Sequence, residues 1–132
     1  MKVAVIGVGQ MGRRHVQVVQ ELGLSLVGIC DQNSDALKIC QQENNVSSHQ
    51  HYTRVEKMLE KTKPDFVEIK AFMAVGYSRQ RLAYDRMPLH NEIMEFSKKL
   101  AKLTGLKILD HKKESRVAVL GKNKKELKIK AL

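Results

Sequence analysis

The chain has 132 residues, 42% of them apolar, and a formal net charge of +10. That is enough for a packed core but too short for a complete cofactor domain followed by a substrate domain. The charge is uneven: residues 1–69 hold 8 Lys+Arg against 8 Asp+Glu, whereas residues 70–132 hold 16 against 6. This break marks a boundary near Ile69 and Lys70 inside what reads as one α/β domain, 1–132. No apolar run reaches membrane-spanning length and the chain opens on a strand pattern, which predicts a cytoplasmic protein with no membrane partner. The two cysteines, Cys30 and Cys40, have no metal-ligand spacing and form no disulfide framework, so both are expected to be buried thiols, with no metal site.

Val3, Ala4, Val5 and Ile6 form a short apolar run suited to a buried parallel strand, and Gly7-Val8-Gly9-Gln10-Met11-Gly12 follows with G-x-G-x-x-G spacing. In such a turn the first glycine serves the tight bend, the second lets backbone approach a pyrophosphate, and the third lets the helix close on the strand. Asp31, 19 residues beyond Gly12 at the end of the next apolar run, is placed to accept from ribose hydroxyls. Gly7, Gly9, Gln10, Met11, Gly12 and Asp31 are therefore the candidate dinucleotide-binding residues. A helix-capping role is the competing reading of Asp31.

Met11, His15, Val18, Val19 and Leu22 predict the apolar face of helix one, capped by Gly23, with His15 packed beside it. Residues 24–30 read as the second strand. Asn33 or Ser34 can cap a helix that buries Leu37 and Cys40 beside Ala36. Residues 41–50 read as loop, with a short strand near His51 and with His49 and His51 facing solvent. Thr53-x-x-Glu56 has capping-box spacing ahead of a helix on Val55, Met58 and Leu59, which stops before Pro64. Residues 66–72 are a strand. Residues 73–87 carry Tyr77, Arg79, Arg81, Tyr84 and Arg86 with no sustained period, the mixture of cations and aromatics that an RNA-contacting loop uses. Pro88 opens a helix with Leu89, Ile93, Phe96, Leu100 and Leu103 at helical spacing, closed by Gly105. Residues 106–110, 116–120 and 127–131 are short strands whose polar connections are too short for parallel crossovers. The expected fold is α/β: a Rossmann-like, doubly wound, mostly parallel sheet of order 3-2-1-4-5 with antiparallel strands at its C-terminal edge. An exposed edge there leaves a monomer and a strand-exchanged homodimer both open, with Lys128 and Lys130 opposing exchange.

MKVAVIGVGQMGRRHVQVV and LVGICDQNSD, with His15 and Asp31, resemble the cofactor domain of the glucose-fructose oxidoreductase and inositol dehydrogenase family over residues 1–69. That resemblance implies NAD binding, but the family's Glu-Lys-Pro motif with its catalytic lysine is missing. KPDFVEIKAFMAVGYSRQRL, MPLHNEIMEFSKKLAKLTG and ESRVAVLGK are similar to the C-terminal part of archaeal 4-demethylwyosine synthase over residues 63–132. The latter is a radical-SAM tRNA-modifying family with a partial βα-barrel fold, and its iron–sulfur cluster takes a three-cysteine motif that this chain lacks.

Two families meeting in one strand suggest a chimeric or engineered domain. It would have no catalytic residues and no iron–sulfur cluster, and would retain weak NAD binding at the glycine turn. A truncated natural NAD-dependent oxidoreductase and a basic tRNA-binding module are the alternatives. Nucleic-acid binding through the basic half is expected to be nonspecific and to weaken steeply as salt rises.

Overall fold

The computed structural model describes residues 1–123. The chain divides into two compact units, Met1–Lys63 and Pro64–Leu132. The division falls just after Lys63, the left-handed residue (φ 46°) that caps the helix ending at Thr62, ahead of the charge break at Ile69–Lys70.

In the first unit, β1 (Lys2–Ile6), α1 (Gln10–Glu21), β2 (Ser25–Cys30), α2 (Ser34–Asn44), β3 (His51–Tyr52) and α3 (Val55–Thr62) alternate, with a 3-10 turn at Ser48–Gln50. The strands pair in parallel in the order β1-β2-β3, so the central strand is β2, as the sequence predicts for the first three strands. Val8 and Val16 pack with Ile29, Leu37, Cys40 and Val46 on one face of this sheet. On the other, a Cβ at Gly28 would stand 3.3 Å from Met58 of α3 and 3.2 Å from Tyr52. Asn33 is the helix cap, its Oδ1 accepting from the amides of Asp35 and Ala36. The expected Thr53–Glu56 capping box does not form, since the cap position of α3 is Arg54 and it makes no side-chain cap bond. Residues 41–44 complete α2 instead of forming loop, and the helix ends where Asn45 turns left-handed.

The face of α1 is rotated from the expected one. Gly12, Val16 and Val19 are buried, while Met11, His15 and Leu22 are exposed. The cause is Gly12: an added Cβ would lie 1.7 Å from the Gly7 carbonyl oxygen, so this position must face the strand, and positions four and seven residues later follow it inward. His51, expected in solvent, is half-buried where β3 pairs with β2; His49 is exposed and its Nδ1 lies 3.0 Å from Ser47 Oγ.

In the second unit, β4 (Phe66–Lys70) leads through two 3-10 turns (Gly76–Gln80 and Tyr84–Arg86) to α4 (His90–Thr104), β5 (Lys107–Lys112) and β6 (Val117–Gly121). The sheet order is β4-β6-β5, and both neighbours of β6 are antiparallel to it. β4 and β5 therefore run parallel, joined by α4 as a crossover, and β6 fills the gap between them. The single 3-2-1-4-5 sheet is thus corrected to a parallel and an antiparallel three-stranded sheet. The antiparallel pairing at the C-terminal side is present, but β6 is central and not an edge. It is the most apolar strand of this half: Ala118, Leu120 and Gly121 are buried, and two neighbours cover it better than one. Ala118 packs with Ala71 and Ile93, with Ile69 and Met94 beside them. The expected strand at 127–131, with Lys128 and Lys130, lies outside the described residues. Among the described residues no helix is long and apolar enough to cross a membrane.

Candidate nucleic-acid interface

The glycine turn gathers the residues expected of it, and several of its polar groups are used within the turns it joins. Gly7 is left-handed (φ 83°) and donates its amide to Cys30 O at 2.8 Å. Gly9 caps α1 without side-chain help, and Gln10 and Met11 open the helix, Met11 with its side chain exposed. Asp31 Oδ2 accepts from the Val8 amide at 2.9 Å and Oδ1 from the Asn33 amide at 2.9 Å. One carboxylate thus clamps the β1–α1 and β2–α2 turns together, through charge-assisted bonds stronger than neutral ones. Beneath the clamp, burial raises the Cys30 thiol pKa above its ordinary value, with Asp31 and Glu56 adding to the shift, and burial likewise raises that of Cys40. Both are protonated, unreactive thiols at neutral pH.

The segment from β4 to α4 in the second unit is organised differently. Ala71 and Ala74 are buried and root it, the Ala71 amide bonding Arg116 O at 3.0 Å. Gly76, at φ 53°, starts the first 3-10 turn. Ser78 Oγ accepts from the Val75 amide at 2.8 Å and donates to Met73 O at 2.7 Å. Arg79 Nε donates to Ala74 O at 3.0 Å, and the Ala74 amide reaches Met87 Sδ at 3.4 Å, closing the far end of the loop onto its start. Arg116, itself left-handed (φ 48°), donates from Nη1 to Pro88 O at 2.8 Å and ties the β5–β6 turn to the entry of α4. An open cleft lies there, lined by Met73, Leu89, His90, Lys113, Glu114 and Arg116.

On this frame Tyr77 is 85% exposed and Tyr84 73% exposed, each carried on a 3-10 turn. Residues 70–90 hold Lys70, Arg79, Arg81 and Arg86 against Asp85 alone. Outward-facing aromatic rings among cations are the kind of surface on which unpaired bases can stack and phosphates can be held. The aromatic and arginine content of this loop is legible in the sequence. Its fasteners, Ser78, Met87 and Arg116, are not: a hydroxyl, a thioether and a turn arginine carry no spacing signal of their own. His90 Nε2 lies 3.2 Å from His111 Nδ1, another pair that only the fold brings together. Among the described residues no group of three or more His, Cys, Asp or Glu side chains is arranged to hold a metal.

Residues 61–122 match the protein family described as wyosine base formation. The chain is 44% identical over 77 residues to the S-adenosyl-L-methionine-dependent tRNA 4-demethylwyosine synthases of Pyrococcus horikoshii and Pyrococcus abyssi, a match covering 58% of this chain and 22% of each relative. It is 38% identical over 64 residues to the enzyme of the same name from Methanocaldococcus jannaschii, covering 48% of this chain and 21% of that one. A solved structure described as TYW1 with a lysine-pyruvate adduct bound aligns at a TM-score of 0.48 and 16% identity, over 92% of this chain and 40% of that one. The chain spans about a fifth of the length of the curated relatives it matches.

These matches uphold the resemblance of the second half and correct several expectations. The reading as a non-catalytic, engineered dinucleotide-binding chimera gives way, as does that of a truncated NAD-dependent oxidoreductase: the chain shares a natural segment with tRNA-modifying synthases, which are enzymes. NAD gives way as well, because the relatives' name specifies S-adenosyl-L-methionine. In this structure the Asp31 oxygens accept from the backbone amides of Val8 and Asn33. Two buried cysteines in the first unit are fewer than the three a radical-SAM cluster takes, so the residues of this chain do not by themselves fit that group.

Proposed function

We propose that the second unit is the RNA-contacting portion of a wyosine-forming tRNA-modification enzyme, with the loop between β4 and α4 as its contact surface. The relatives named above act on tRNA, and the match runs through this loop. The observation that carries the reading is the outward display of Tyr77 and Tyr84 from a segment fastened at both ends by Ser78, Arg79 and Met87. In this reading the rings stack on unpaired nucleotides and the basic residues of the half engage the phosphates. Charge supplies most of the affinity and no sequence preference.

Equilibrium binding of tRNA to the intact chain, followed by fluorescence anisotropy over a series of salt concentrations, tests this. The wild type is expected to bind with a steep inverse dependence on salt and little discrimination between tRNAs. A Tyr77→Ala/Tyr84→Ala variant should lose affinity with an unchanged salt slope, because stacking releases no counterions. Equal affinities for wild type and variant would remove the loop from the interface.

A further inference from the structure

The sequence predicts one apolar face for α4, on Leu89, Ile93, Phe96, Leu100 and Leu103, but the sheet covers only part of it. Ile93, Ser97 and Leu100 are buried, whereas Leu89, Phe96 and Leu103 are 54%, 49% and 67% exposed. The exposed three recur every seven residues, from the cap residue Leu89 through Phe96 and Leu103 on a helix about 22 Å long. Charge along the outer flank of these positions is segregated: Glu92 and Glu95 lie toward the N-terminus and Lys99 and Lys102 toward the C-terminus, all exposed.

We propose that α4 is a self-association surface, and that its partner is α4 of a second copy of this chain, lying antiparallel about a two-fold axis at Phe96. In that arrangement Phe96 meets its own copy, Leu89 of each helix lies against Leu103 of the other, and the acidic end of each helix lies along the basic end of its partner. A two-fold interface must be complementary to itself. An apolar centre with acidic residues on one side of it and basic residues on the other meets that requirement. A parallel pairing does not, because it sets Glu against Glu and Lys against Lys. The contact is small for a stable dimer, and the +10 net charge opposes it, so association is weak and concentration-dependent. This surface shares only Leu89 with the loop proposed to contact RNA, and the inference does not depend on that reading.

Sedimentation velocity of the full chain across an about hundredfold range of concentration tests the proposal. The wild type is expected to pass from monomer to dimer. Phe96→Glu sets two carboxylates against each other at the axis and should weaken the dimer by about tenfold or more. Because Phe96 is already half exposed, the substitution spares the core, and circular dichroism checks the fold. A Lys99→Glu/Lys102→Glu chain and a Glu92→Gln/Glu95→Lys chain should each be monomeric alone and pair when mixed; Gln at 92 keeps the acceptor that caps the Leu89 amide. A wild type that stays monomeric throughout would overturn the proposal. So would a dimer indifferent to Phe96→Glu, which would place the contact elsewhere, for example at a strand edge.

Discussion

The two units spend their polar residues in opposite ways. In the first, the carboxylate of Asp31 and the amides of Gly7, Val8 and Asn33 are consumed in holding two turns together. In the second, Ser78, Arg79 and Arg116 fasten a loop whose tyrosines then face outward. A motif with the spacing of a binding site thus spends its carboxylate and two of its amides on its own turns, while a segment with no periodicity leaves two tyrosines exposed. Spacing says which residues meet. Only the count of partners already taken says what is left to bind something else.

The sharpest way to break this contrast is Gly12→Ala. A methyl 1.7 Å from the Gly7 carbonyl oxygen requires backbone movement of both turn and helix. Urea denaturation followed by circular dichroism should show a loss of about 3 kcal/mol or more. Asp31→Ala comes next, since it leaves two backbone amides without their acceptor, and should cost about 1.5–3 kcal/mol in the same measurement. Asp31→Asn, which keeps acceptor capacity, should cost less. On the other side of the comparison, Tyr77→Ala alone should cost about 1–3 kcal/mol of tRNA affinity with no loss of stability. The smallest effect belongs to the thiols. Burial raises the native pKa of Cys30 and Cys40 above 9.0, so the unfolded chain loses its thiol protons first. Their contribution to stability is complete below pH 9.0 and declines as pH rises past it through the raised native values. A Cys30→Ala/Cys40→Ala variant should show a shallower alkaline decline in thermal-melt midpoint.

Much of the local structure is legible in the sequence because it rests on local rules: Asn33 as a cap, Gly105 as a left-handed helix end (φ 72°), and the parallel order of the first three strands. The rest depends on contacts distant in the chain. The rotation of α1 is set by a backbone clash at Gly12 that periodicity does not register. The place of β6 between β4 and β5 follows from which strand most needs two neighbours, a competition decided only when all three are present. On α4, helical spacing identifies five apolar positions but not that Leu89, Phe96 and Leu103 remain exposed. At the candidate interface, Tyr77 and Tyr84 are readable as residue types, whereas their exposure on a fastened loop is a property of the fold.

The central claim, that RNA is met by the loop between β4 and α4 and not by the glycine turn, is tested most directly by photo-crosslinking tRNA to the intact chain. The crosslinked peptides would be mapped by mass spectrometry. The account predicts crosslinks concentrated in residues 75–89, at Tyr77 and Tyr84 above all. Crosslinks concentrated in residues 1–63, with the loop peptides unmodified, would contradict it.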